Sequence, residues 1–333
     1  MVYEVRIYMR FFMNKIAIIT GVSGQDGSYL SKILVDEGYS VIGLVRNKKT
    51  FSYKNLEYLS IANKVIIHEV SLLNFSDLFD VFKKYKPGKV FNFASQSSVA
   101  SSYFKPKETL EFNIQSVVNL LDCIRLVDSS IKFFQASSSE IFGQPEFLPV
   151  NEETPINPNN LYAISKATTH EIINYYRLHY NLSVAIGIFL NHESVLRGNN
   201  FIVKKIIQDL YKIKHGKLDI LRVGNIETKR DFGYAPKYME LVYKMTSEEA
   251  GDDFIVSTGS SIAIKDIIYY VLDKLNLEDS VIRVDQSLFR KNDVLDMYGD
   301  SNKAIKKFNW NYDEDFFDVL DEMMRYEEEY FYS

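Results

Sequence analysis

Apolar runs too short for helices recur along the first part of the chain: residues 15–20 (KIAIIT), 41–45 (VIGLV), 65–67 (VII), 89–93 (KVFNF) and 131–135 (IKFFQ). Because their apolar residues are consecutive rather than alternate, these runs predict strands buried on both faces. Between them lie stretches of helical period, one marked by Tyr29, Leu30, Ile33 and Leu34, others at 76–85 and 107–127. Strands alternating with helices, joined by right-handed crossovers, predict a doubly wound parallel α/β domain over residues 13–190. Beyond about residue 190 the alternation loosens. Pro, Gly and Asn punctuate 191–200, 216–236 and 285–302, and helical patterns lie near 201–214, 235–248, 264–275 and 313–328. Residues 191–333 therefore read mainly as a smaller α/β substrate-binding domain, with some later segments returning to the first. The acidic-aromatic tail, Glu327-Glu328-Glu329-Tyr330-Phe331-Tyr332, reads as the solvated end of a helix. Residues 1–12 precede Met13-Asn14-Lys15 and the first strand, and read as an N-terminal extension with no catalytic role.

Composition narrows the function classes. Apolar residues at 46% and charged residues at 25% of a 333-residue chain are ordinary globular values. A formal charge of −5 argues against a nucleic-acid partner, so any nucleotide must be held by local charges. The single cysteine, Cys123, rules out an internal disulfide and a Cys-rich zinc site, and its apolar setting reads as a structural thiol. The histidines His68, His170, His179, His192 and His215 show no coherent ligand spacing, and no metal is expected. No apolar run has the length of a membrane span and the start lacks a signal-peptide core, so a cytoplasmic protein without a membrane partner is expected.

Three local patterns carry chemistry. The first is Gly21-Val22-Ser23-Gly24-Gln25-Asp26-Gly27, directly after the first strand and before the first helix. Glycines three apart permit a tight turn, close approach to a pyrophosphate and close helix packing; taken alone they equally fit a plain turn, but the strand and helix around them point to a Rossmann-type dinucleotide site. The second follows the second strand, where Val45-Arg46-Asn47-Lys48-Lys49 offers cations in place of the acid that holds an NAD ribose. Arg46 then favours the 2′-phosphate of NADP, the other reading being a solvated basic turn. The third is Ser138-Ser139-Glu140 with Tyr162-Ala163-Ile164-Ser165-Lys166. Tyr and Lys at i, i+4 share a helix face, where the cation favours the phenolate and can make Tyr162 a base near neutral pH. Glu140 adds a second proton-transfer group, or is no more than a capping carboxylate.

In this order the loop, the Ser-rich strand end and the Tyr-Lys pair resemble the extended short-chain dehydrogenase/reductase superfamily. Within it the chain is similar to the GDP-mannose 4,6-dehydratase family from Lys15 to about Trp310. The most specific strings are Gly24-Gln25-Asp26-Gly27-Ser28-Tyr29-Leu30 and Asn191-His192-Glu193-Ser194. Asn92-Phe93-Ala94-Ser95-Gln96-Ser97, Gln135-Ala136-Ser137-Ser138-Ser139-Glu140, Arg230-Asp231-Phe232-Gly233 and Gly299-Asp300 accompany them. The resemblance implies a redox-neutral cycle: Tyr162, assisted by Lys166 and Ser138, oxidises C4 of a GDP-sugar with NADP. Glu140, beside Ser139, then removes the C5 proton and helps expel the C6 hydroxyl, and the hydride returns to C6. It also implies Gly21, Ser23, Gly24, Gln25, Asp26, Gly27, Arg46, Leu72, Ala94, Ser95, Ser97, Lys166, His192 and Arg197 around the cofactor. Asn191, Glu193, Lys205, Arg230 and Arg290 are implied around the sugar nucleotide, and a homodimer or homotetramer is implied as the assembly.

Some positions depart from the family pattern. Ser138 replaces a Thr, Val70-Ser71-Leu72 replaces Gly-Asp-Leu at the adenine contact, Ser98 replaces a His, and Asn47 replaces a second basic residue. The changes lie around cofactor and sugar, and leave GDP-mannose and GDP-manno-heptose both open as substrates. An NADP-dependent 4-reductase or an epimerase of the same fold, with Glu140 incidental, is the competing enzymatic reading. A non-catalytic nucleotide sensor is the third.

Overall fold

The computed structural model describes residues 15–247, 251–289 and 294–331. The expected extension, residues 1–12, lies outside the described residues. The described residues form two compact units, the first drawn from residues 15–143, 156–188 and 239–254, the second from 144–155, 189–238 and 255–331.

Unit 1 follows the alternation read from the apolar pattern. Its elements are β1 (Ile16–Thr20), α1 (Gln25–Asp36), β2 (Ser40–Val45), α2 (Lys54–Tyr58), β3 (Val65–Glu69), α3 (Phe75–Tyr85) and β4 (Lys89–Asn92). They continue with α4 (Val99–Phe104), α5 (Pro106–Val127), β5 (Lys132–Ser138), α6 (Leu161–Tyr180) and β6 (Val184–Phe189). Together with the strand Asp253–Val256 they make a seven-stranded sheet in the order Asp253–Val256, β6, β5, β4, β1, β2, β3. β1 pairs in parallel with both β2 and β4, so the order of connection reverses there and a crevice opens at the carboxyl ends of β1 and β4. Helix boundaries follow side-chain chemistry: Asn74 caps α3 by accepting from Asp77 N, and Pro106 opens α5, where its missing N–H costs no helical bond. β5 runs three residues past the expected 131–135 pattern, to Ser138, and this extension carries the start of the Ser-Ser-Glu string to the carboxyl end of a central strand.

Unit 2 is built from shorter pieces. The strand Asn191–Glu193 pairs in parallel with Phe232–Tyr234, His192 lying opposite Gly233. Between the two segments runs the helix Ile202–Lys214, and the helices Ile264–Leu275, Asn302–Phe308 and Phe316–Phe331 complete the unit. Asp231, fully buried, gathers three chain segments: its carboxylate accepts from Thr258 N (3.0 Å), Gly259 N (3.2 Å) and Gly299 N (3.3 Å). Burial pushes its carboxyl up to about 6 against the opposing pull of those donors. The tail is a helix end with Glu328, Glu329 and Tyr330 exposed, as expected, but its first residue is not solvated. Val319, Leu320, Met323 and Met324 continue one inward face to Glu327, which is buried and pairs with the buried Lys204 at 3.2 Å. A run of like charges conceals this, because only helical phase separates Glu327 from its exposed neighbours Glu328 and Glu329.

Candidate active site

The glycine loop has the stereochemistry of a dinucleotide cradle. Gly21 turns at φ +72°, and a Cβ there would stand 2.9 Å from Ala94 N. A Cβ on Gly27 would stand 2.3 Å from Gly21 O, so any larger residue would drive α1 off the turn. Gly24 is the N-cap of α1, which begins without a side-chain cap and so directs the positive end of its dipole at the space beside the loop. Such a loop at the strand-order reversal fits a pyrophosphate-bridged dinucleotide. Asn55 of α2 donates to Ser23 O at 2.9 Å and steadies the loop from its outer side.

From this loop a chain of buried hydrogen bonds crosses the strand ends. Thr20 Oγ1 accepts from Ala94 N (3.0 Å) and donates to Asn92 Oδ1; Asn92 Nδ2 donates to Gln135 Oε1 at 2.8 Å. Gln135 Nε2 donates to Ala136 O at 2.8 Å, and the same carbonyl accepts from Lys166 Nζ at 2.9 Å. β1, β4, β5 and α6 are thereby tied together by polar groups that have no water to fall back on.

Lys166 and Tyr162, one turn apart on α6, are both buried, with Nζ 5.8 Å from the centre of the Tyr162 ring. Burial pulls the Lys166 ammonium down to about 8. Ser138, at the end of β5, accepts from Glu140 N at 3.3 Å. That bond occupies a lone pair of Oγ and leaves its O–H to donate outward. Glu140 sits in the short 3-10 turn Ser139–Phe142, and its Oε2 accepts from Asn160 Nδ2 at 2.9 Å. Ser139 is buried in the same turn.

The other expected residues fall into two groups. In unit 1, Ser23, Arg46 and Ser97 are exposed, whereas Gln25 and Leu72 are buried, and Gln25 Nε2 donates to Asp26 Oδ1 at 3.1 Å. Ser95 Oγ and Gln96 N both donate to Asn113 Oδ1, at 3.2 and 2.8 Å. In unit 2, Glu193 and Arg197 form an ion pair at 3.2 Å, so two residues expected around different ligands hold one another. Asn191 begins the strand that carries His192, whose Nδ1 lies 2.9 Å from Leu190 O. Lys205 Nζ donates to Asp209 Oδ2 (2.7 Å) and Arg222 O (3.0 Å), and Arg230 Nη1 donates to Val294 O at 2.6 Å. Arg290 lies outside the described residues.

Sequence reasoning passed over Asn113, Asn119 and Asn160. Asn113 also donates to Ser165 Oγ at 2.9 Å, and Asn119 donates to Leu72 O at 2.8 Å. Polar side chains at 113, 116 and 119, at helical spacing on the buried face of α5, were the available signal, since buried amides are rarely left unpaired. Cys123 is fully buried on α5, and burial pushes its thiol up to about 12, the condition of a structural thiol.

Comparison with known proteins bears on the family and the fold. The model of a family described as GDP-mannose 4,6 dehydratase matches residues 18–323. The chain is 36% identical to GDP-mannose 4,6 dehydratase 1 of Arabidopsis thaliana, over 89% of this chain and 85% of the relative. It is 31% identical to the GDP-mannose 4,6-dehydratase of Vibrio cholerae, over 90% of each chain. Among solved structures, a dTDP-glucose 4,6-dehydratase from Streptomyces venezuelae with NAD and TYD bound superposes with a TM-score of 0.86 at 20% identity. That match covers 95% of this chain and 97% of the other. At this identity the structural match speaks for the fold alone.

Proposed function

The chain belongs to the GDP-mannose 4,6-dehydratase family, and from that premise we propose that it converts GDP-mannose or GDP-manno-heptose into the 4-keto-6-deoxy sugar with NADP. The observation that carries this reading is the placement of Glu140, hydrogen-bonded beside Ser138 and next to the helix of Tyr162 and Lys166. A bound nicotinamide supplies reversible hydride acceptance at the carboxyl ends of the strands. Tyr162 takes the C4 hydroxyl proton, and the Ser138 O–H donates to the oxygen as it becomes a carbonyl. A C4 ketone acidifies the C5 proton, which Glu140 removes and then passes to the departing C6 hydroxyl. A 4-reductase or 4-epimerase needs only hydride transfer at C4 and leaves the C5 proton in place.

Arg46 carries the preference for NADP. The register places Glu69, at the end of β3, opposite Val45, and its Oε2 accepts from Lys48 N at 2.8 Å. This carboxylate is engaged in ordering the basic turn, which leaves the Arg46 side chain to meet a 2′-phosphate. Lys205, Arg230 and Arg290 are the cations proposed for the GDP pyrophosphate, with Asn191 and Glu193 as further sugar-nucleotide contacts, while Arg197 is proposed for the cofactor.

The reading is tested by incubating the protein and NADP with GDP-mannose, GDP-manno-heptose and a set of dTDP- and CDP-hexoses, with mass detection of products. Loss of one water from a GDP-sugar, without net change in nicotinamide absorbance, is the expected result. Stoichiometric consumption of NADPH would point to a reductase, and no water loss from either GDP-sugar would end the proposal.

The buried ammonium sets an alkaline limit. Above about pH 8 Lys166 loses its proton, the phenolate loses its counter-charge, and kcat/KM should fall roughly tenfold for each pH unit. Stability moves the other way. An unfolded Lys holds its proton to 10.5, so between about 8 and 10.5 the unfolded chain binds more protons and this group's contribution to stability rises with pH. A pH profile taken alongside thermal melting separates the two effects; a kcat/KM level through this window would remove Lys166 from the role.

A further inference from the structure

We propose that Asn160 is a positioning residue that couples the two halves of the proton-transfer machinery, capping the helix of Tyr162 and Lys166 with one atom and orienting the Glu140 carboxylate with another. The inference rests on the reading of Glu140 as the C5 base. Asn160 is almost wholly buried, at 7% exposure. Its Oδ1 accepts from Ala163 N at 2.9 Å, which is the N-cap bond of α6. Because the group facing Ala163 N must be an acceptor, the amide has one orientation, and its NH2 points away from the helix. Nδ2 then donates to Glu140 Oε2 at 2.9 Å and to Asn159 Oδ1 at 3.1 Å, so both amide protons are placed.

The backbone around Asn160 is arranged to bring it there. Gly143, at φ +56°, ends the turn that carries Glu140, and a Cβ on it would stand 2.1 Å from Asn157 O. Only glycine lets the segment before α6 lie this close. Asn157 N in turn donates to Ile141 O at 2.9 Å, which pins that segment to the Glu140 turn. Ser, Thr and Asp cap helices about as well as Asn. Among these side chains the carboxamide is the one that offers an acceptor and two donor hydrogens on separate atoms. Capping alone therefore leaves the amide unexplained, whereas capping together with a hold on Glu140 uses each of its polar atoms. Held through Oε2, the carboxylate keeps Oε1 for the substrate proton, and a shift of either half of the site is transmitted to the other through one side chain.

The test compares Asn160→Ser and Asn160→Asp with Glu140→Gln and the unaltered protein. Each is loaded with NADP and mixed with GDP-mannose or GDP-manno-heptose in deuterated water. Ketone formation is read from the reduced-nicotinamide absorbance, base action from deuterium at C5, and folding from the melting temperature. Both Asn160 substitutions keep a good cap. The Ser variant is expected to form ketone within about threefold of the unaltered protein while C5 deuteration falls about tenfold. The Asp variant, which sets a second acceptor against Oε2, should lose about a hundredfold in deuteration, and its strong cap keeps the test available if Ser lowers stability. Parallel loss of both partial reactions together with melting temperature would mean a cap and nothing more. Unchanged deuteration in both Asn160 variants, with Glu140→Gln inactive in exchange, would overturn the role of Asn160 while leaving that of Glu140 intact. Full exchange by Glu140→Gln would overturn both.

Discussion

Glu140→Gln is expected to stop the reaction after the first oxidation, with product formation reduced about 10²- to 10⁴-fold, the range that a positioned general base supplies. In barrier terms this is about 3 to 5 kcal/mol. The amide has the shape of the carboxylate and can still hydrogen-bond to Asn160, so the turn Ser139–Phe142 and its link to α6 should persist. What it lacks is a lone pair basic enough to accept a carbon-bound proton. Tyr162, Lys166 and Ser138 are untouched, and the C4 ketone should form. The signature is accumulation of reduced nicotinamide on adding substrate, without deuterium at C5 and without loss of water. Normal turnover by this variant would return Glu140 to the status of a capping carboxylate and leave the family's chemistry without a base in this chain.

Tyr162→Phe should fail one step earlier and by a comparable or larger factor, about 10⁴. Removing the phenolic oxygen deletes the base for the C4 hydroxyl, so neither ketone nor any later species forms, and nicotinamide absorbance stays flat. The two variants are therefore distinguished by the intermediate that each reaches. The ring remains to fill its buried place on α6, and stability should change by no more than about 1 kcal/mol, the net worth of one hydrogen bond. Cofactor titration supplies the control: the Phe variant should bind NADP as the unaltered protein does, because the glycine loop is built from other residues. Ketone formation at the normal rate would shift the role of first base to another group.

Much of the site is readable from the chain because its chemistry depends on local spacing. A glycine loop between a strand and a helix, a Tyr and a Lys one turn apart, and a Glu two residues past a Ser are relations over a few residues, and backbone geometry turns each into a defined arrangement. The doubly wound sheet is equally local in origin, since consecutive apolar runs call for burial on both faces. The family likeness, too, resides in such strings, and comparison with known proteins bears it out.

Long-range pairing is different in kind. Nothing near Ala136 in the chain announces that its carbonyl will receive Lys166, nor does Glu69 announce that it will face Lys48; the first follows from the packing of α6 on β5 and the second from strand register. The same is true of Glu327, whose burial against Lys204 depends on which face of its helix meets the core, and of Glu193 and Arg197, which pair with one another. Asn160 shows the division most plainly. Its capping bond is local in kind, joining residues three apart, although sequence reasoning passed it over. As the partner of Glu140 it exists only because Gly143 admits a second stretch of backbone at a distance that a side chain would forbid. Local steric preference writes the elements and the reactive groups into the chain, whereas the partners of buried polar groups are settled by packing, which must satisfy each of them once water is gone.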